Sequence, residues 1–157
     1  MGKTGLFDLE KNFSKMVIEN HPVQIDSKKG IPVPQPTRFW ITDGWLKKEI
    51  SRLEEKGWIQ KWEDMVTQDE SLFKQFIQLH RKEIEVRKSI ISELHLPQYV
   101  VEKLMTTGIG GIQEFDKKPF KVKCLHLWTA YHIGDPRFRN PLGEFVLNQI
   151  KMQHQNR

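Results

Sequence analysis

The chain has 157 residues, of which 38% are hydrophobic and 29% charged, with a formal net charge of +5 at pH 7. That is the composition of a folded chain rather than a disordered one, and no apolar run approaches the ~18 residues that a membrane span needs. A single cysteine excludes an internal disulfide. The first residues lack the apolar core of a signal peptide, so a cytoplasmic protein with no membrane partner is expected.

Leu6, Leu9, Phe13, Met16 and Val17 recur at helical spacing and predict a helix over 6–20 with Asp8 as its cap. Val23–Ile25 reads as a strand, Ser27–Gly30 as a turn and Ile31–Val33 as a return strand, which Pro32, Pro34 and Pro36 confine to an edge. Phe39–Thr42 is bulky and β-branched, which suits a better strand. Asp43 then caps a helix carrying Leu46, Ile50 and Leu53, and Gly57 terminates it. Trp58, Ile59 and Trp62 continue as a short helix or packed turn. From Asp69 to Leu94 a long helix is expected, with Phe73, Ile77, His80, Ile84, Arg87, Ile91 and Leu94 along its apolar line and Phe76 and Ile90 beside it. Pro97 interrupts, Gln98–Met105 is another short helix, Gly108–Gly111 a loop and Asp116–Pro119 a turn. Val122–Ile133 reads as a buried helix, although Phe120–Leu125 alone fits a strand. Gly134–Pro136 ends it, and Pro141 opens a last helix with Leu142, Phe145, Val146 and Ile150 inward. The sum is an α+β fold: a single, mostly helical domain over 1–150 with a small antiparallel sheet near the N-terminus, then a polar, frayed tail over 151–157.

His80 and Arg87 stand two helical turns apart on the stripe that should face the core, where an unpaired charge is costly. Either Arg87 pairs with a carboxylate such as Glu54 while His80 bonds a backbone carbonyl, or both line a cleft where the planar fork of Arg87 grips a phosphate or carboxylate. Gly108, Gly110 and Gly111 offer a nest of backbone amides for the same anion, among Lys121, Lys123 and Arg87. The loop has neither the dinucleotide nor the Walker order of glycines. Arg137 and Arg139 either cover the same pocket or sit on a solvated turn.

Cys124 and His126 are two residues apart, which puts them about 200° apart on a helix, so they share a pocket only if that segment is extended. His126 is the catalytic acid–base candidate, since imidazole exchanges a proton near neutral pH. Cys124 reads as a small buried supporting residue. The chain has no C-x-x-C or H-E-x-x-H spacing, and His126 and His132 do not converge on a helix, so no metal site and no cofactor are assigned. Trp40, Trp45, Trp58 and Trp62 lie among Lys47, Lys48, Arg52, Lys56 and Lys61. They suit base stacking or core packing. Acidic residues are interspersed with the basic ones, so the core is preferred and nucleic acid is not an expected partner.

Phe39-Trp-Ile-Thr42, Ile50-Ser-Arg-Leu-Glu54 with Gly57, Arg87, Gly110-Gly111, Val122-Lys-Cys-Leu-His126 and Asn140-Pro-Leu-Gly143 resemble, in that order, a bacterial domain-of-unknown-function family, number five hundred and one. The resemblance covers roughly residues 22–147. It implies no known activity. Its genes neighbour a septum-formation initiator and an exopolyphosphatase-like gene, which implies a link to cell division or phosphate metabolism. Many actinobacterial members add a cysteine pair near the first hairpin, and Asn20–Asp26 here holds none, so no metal role carries over from that pair. The matched positions mark Arg52, Glu54, Arg87, Lys123, Cys124, His126 and Asn140 for testing.

The expected function is therefore binding of a small phosphorylated or carboxylated ligand. Arg87 and Lys123 would hold the anion, the Gly108–Gly111 amides would cradle it, and His80, Asn140, Arg52 and Glu54 would complete the site around His126. The alternatives are a non-enzymatic interaction module with a protein partner in cell division, and an RNA-binding module on the Trp and Lys cluster. Turnover of the ligand and oligomeric state are left open.

Overall fold

The computed structural model describes residues 12–155. The expected N-terminal helix falls partly outside this range: Leu6, Asp8 and Leu9 lie outside the described residues. Four short strands open the fold: β1 (Val17–Glu19), β2 (Val23–Ile25), β3 (Pro32–Pro34) and β4 (Phe39–Ile41). Six α-helices follow among the described residues: α1 (Gly44–Glu55), α2 (Trp58–Gln68), α3 (Glu70–Ile91), α4 (Gln98–Thr106), α5 (Leu125–Gly134) and α6 (Pro141–Gln155). The fold is α+β, with its two small antiparallel sheets near the N-terminus. No helix among the described residues is long and apolar enough to cross a membrane. The described chain divides into two compact units, one from residues 12–19, 39–62 and 122–155, the other from 20–38 and 63–121.

In the first unit β1 pairs antiparallel with β4, with Ile18 opposite Trp40. This corrects the helix expected through Val17: the β-branched Val17-Ile18 pair joins β4, and a ladder partner far along the chain overrides helical spacing. Phe39 and Ile41 are buried while Trp40 between them is exposed, the alternation of a strand with one covered face. Helix α1 starts where Asp43 accepts a hydrogen bond from Leu46 N–H at 2.9 Å. It ends at Gly57, whose φ of +84° is the left-handed conformation glycine tolerates. Its Leu46, Ile50 and Leu53 are buried, as their spacing predicts. Helix α5 packs on α6 and β4. There the Tyr131 ring meets Phe39 and Phe138 edge-on, at centroid distances of 5.0 and 5.3 Å. Trp58 and Trp62 pack on Phe145, so these two tryptophans serve the core. Helix α6 continues to Gln155, into the stretch read from sequence as a polar tail.

In the second unit β2 pairs with β3, Val23 opposite Pro34 and Ile25 opposite Pro32. Helix α3 is capped by Asp69, which accepts from Leu72 N–H at 3.0 Å. Its buried face is Phe73, Phe76, Leu79, His80, Glu83, Arg87 and Ile91. Leu79 and Glu83 thus replace Ile77 and Ile84, which are only half-buried, and Leu94 lies beyond the helix end and is exposed. The stripe is rotated toward Leu79 and Glu83, and the charged pair Glu83 and Arg87 lies within it. Ile91, Val100 and Leu104 join α3 to α4 in a small apolar cluster.

Candidate functional site

The strongest candidate lies in the first unit and depends on where α5 begins. The sequence reading started a helix at Val122; the structure starts it at Leu125. Between them Cys124 N–H bonds the Val122 carbonyl at 2.9 Å across Lys123, whose φ is +70°. A two-residue hydrogen-bonded loop about a positive φ is a γ-turn of the rare, strained kind. Lysine has no local means of favouring that conformation, so it is held by what surrounds it. Trp128 Nε1–H also bonds the Val122 carbonyl, at 2.8 Å, and fixes the turn from the helix side. Cys124 is therefore extended, with φ −157° and ψ 156°, while His126 is already helical. The angular conflict between the two side chains disappears because the helix begins between them.

Helix α1 supplies the rest. Glu54 Oε2 accepts from Leu125 N–H at 2.8 Å, so its carboxylate faces the open amides at the start of α5. The same oxygen lies 3.2 Å from His126 Nδ1. The other ring nitrogen, Nε2, lies 3.1 Å from the Lys47 carbonyl and 3.4 Å from the Ser51 hydroxyl. Lys47, Ser51 and Glu54 follow i, i+4, i+7 spacing, one face of α1. A ligand atom of Glu54, Cys124 and His126 each falls within 4.8 Å of the other two. All three residues are partly exposed, His126 at 27% and Glu54 at 21% of their side chains. The hydrogen bond with the Cys124 thiol raises the His126 pKa; burial opposes this, and the Lys47 carbonyl and the Glu54 charge add to it.

The remaining candidates are placed elsewhere and are committed to their own units. Arg87 is fully buried, and its carboxylate partner is Glu83, at 3.2 Å, not Glu54. The i, i+4 spacing on α3 is the signal that could have named it. Its Nη1 donates to the carbonyls of Leu104 and Thr107 at 2.9 and 2.6 Å, and its Nη2 to those of Pro36 and Gly108, both at 2.6 Å. Glu83 also takes a forked bond from buried Arg38, at 2.7–3.1 Å, a partner no spacing in the sequence suggests. His80 Nδ1 accepts from Ile109 N–H at 2.9 Å. Burial, and then the nearby Arg87 charge, push its pKa down to about 3. The glycine loop turns its amides inward. Gly108 N–H bonds Ile112, Gly111 N–H bonds Gly108, and a Cβ on Gly108 would lie 2.2 Å from the His80 ring. The loop, His80 and Arg87 thus form one buried lattice of the second unit.

In the first unit, Asn140 is an internal strut. Its amide donates to the carbonyls of Trp128 and Phe138, and its oxygen accepts from Gly143 N–H at the start of α6. Arg52 is half-exposed and pairs with Glu49 at 3.3 Å. Lys123 is exposed on the γ-turn. Of the residues singled out from sequence, the structure therefore brings together Glu54, Cys124 and His126 with Lys123 beside them. Ser51 and the Lys47 carbonyl were missed; the helical spacing to Glu54 is the signal that points to them.

An α+β chain with a Glu–Cys–His cluster where two helices meet is the class that fold and site define. The chain belongs to the family described as "Protein of unknown function (DUF501)", which it matches over residues 12–148. Comparison with curated proteins and with solved structures finds no match.

Proposed function

We propose that this is a cytoplasmic metal-binding protein in which Glu54, Cys124 and His126 hold a zinc-type divalent cation. The observation that carries the reading is the environment of His126. Both ring nitrogens face oxygen acceptors, Nδ1 toward Glu54 Oε2 at 3.2 Å and Nε2 toward the Lys47 carbonyl at 3.1 Å. A neutral imidazole has one N–H and satisfies only one of them. The second needs either a further proton, making imidazolium, or a cation between Nδ1, the carboxylate and the thiol. With Nε2 donating to the Lys47 carbonyl, the bare Nδ1 would be left to bind a metal, the usual outer support of a ligating histidine. The Leu125 amide on Glu54 Oε2 orients the carboxylate in the same manner. A thiolate, an imidazole and a carboxylate suit zinc, and three protein ligands leave a fourth position for an exchangeable group. The strain at Lys123 fits a segment shaped to aim Cys124 rather than to continue a helix.

Zinc titration of metal-free protein, followed by calorimetry, tests this. One ion per chain is expected, with affinity rising with pH as the proton on His126 is displaced. Cys124→Ser and Glu54→Gln should each weaken binding by about tenfold or more. The reading is lost if binding is absent, or if these two variants bind as the parent does.

A further inference from the structure

We infer that Trp128 is a positioning residue of this centre: its indole N–H decides whether Cys124 joins the ligand set, and with it which class of cation is held. This rests on the metal reading above. The Val122 carbonyl accepts two hydrogen bonds. One, from Cys124 N–H at 2.9 Å, closes the γ-turn; the other comes from Trp128 Nε1–H at 2.8 Å. The first is part of a turn that is itself unfavourable, because a residue with a Cβ resists the φ of +70° found at Lys123. The second reaches the turn from α5. Trp128 is fully buried, and its own carbonyl accepts from the Asn140 amide at 3.0 Å, so the indole is anchored apart from the turn it bonds. The turn sets the direction of Cys124. That residue is extended at the very start of α5, and its side chain makes no capping bond to the helix. The thiol bonds His126 instead. Without the indole bond, Lys123 relaxes to a negative φ and the thiol leaves the cluster. Glu54 and His126 keep their own supports, the Leu125 amide and the Lys47 carbonyl. A thiolate selects softer cations such as zinc, and a carboxylate with an imidazole alone loses that selection.

The experiment titrates the full chain with cobalt(II), whose thiolate-to-metal charge-transfer band reports sulfur ligation. Trp128→Phe keeps an apolar ring and removes the N–H. It should weaken cobalt binding about tenfold or more, and the complex formed at saturating cobalt should lack the band. Adding Lys123→Gly to Trp128→Phe should restore the band, because glycine takes a positive φ without support. A core that was merely loosened by the smaller ring would not be mended by glycine at an exposed position. Lys123→Val changes no core residue and so serves even where Trp128→Phe fails to fold. A β-branched side chain opposes the left-handed conformation, so this variant alone should lose the band. A band retained in Trp128→Phe or in Lys123→Val overturns the inference and leaves the metal reading standing. A band lost in Trp128→Phe and not restored by glycine also overturns it. A parent chain that binds no cobalt, or binds it without the band, overturns both.

Discussion

Arg87→Met keeps the length and the apolar stem of the side chain and removes the guanidinium. In the folded state that group satisfies Glu83 and four carbonyls, those of Leu104, Thr107, Pro36 and Gly108. Gly108 keeps the bond from Gly111 N–H and the Pro36 carbonyl is part-buried, so the stranded carbonyls are chiefly those of Leu104 and Thr107, at about 1–3 kcal/mol each, or about 2–6 kcal/mol together. Removing one member of a buried ion pair independently costs about 3–5 kcal/mol. The two routes agree because they count the same loss. The second is moderated here by Arg38, which still neutralises Glu83. The expected loss is therefore about 3–5 kcal/mol, a large share of a typical total stability of about 5–15 kcal/mol. Urea melts with unchanged slope should show it as a lower midpoint. Arg87→Lys separates charge from geometry. An ammonium has three donors and no fork, so most of the loss should remain. A loss under about 1 kcal/mol for methionine, or full recovery with lysine, would refute the view that Arg87 clamps the glycine loop onto α3.

Further outcomes are expected. His80 is held neutral, with its pKa down to about 3, below an unfolded value of ~6.5. Its contribution is complete above pH ~6.5 and falls by about 1.4 kcal/mol per pH unit on acidification toward the folded value. A His80→Gln chain should show a flatter stability profile between pH ~6.5 and ~4.5, and equal slopes for the two would discard the assignment. Gly108→Ala would push a Cβ to 2.2 Å from the His80 ring and should cost about 1–3 kcal/mol in thermal or urea melts; a neutral result would mean the ring has room to move. Leu53→Ala, at a site 6% exposed, should cost about 2–5 kcal/mol, whereas a loss below about 0.5 kcal/mol would mean that α1 is phased differently. Cys124 is half-buried, and zinc should slow its alkylation about tenfold or more by occupying the thiolate; an unchanged rate would argue against sulfur ligation.

Sequence alone determined the features that depend on neighbours in the chain. Asp43 and Asp69 cap their helices through side-chain oxygens, Gly57 takes the positive φ that ends α1, and Leu46, Ile50 and Leu53 point inward by spacing. Local geometry fixes each of these, so local reading suffices. The motif order also carried the family, and it marked Glu54, Cys124 and His126 before they were seen to meet. Tertiary structure decided the rest. Val17–Glu19 is a strand because β4 pairs with it. Arg87 is sealed because Glu83, Arg38 and four carbonyls converge on one buried point. Cys124 and His126 share a site because the Glu54 carboxylate, from a helix about seventy residues earlier, meets the first amide of α5 and Trp128 holds the γ-turn that precedes it. Periodicity cannot express a helix that begins one residue after a cysteine. That start is set by partners distant in the chain, and it is what turns two residues on opposite helical faces into neighbours.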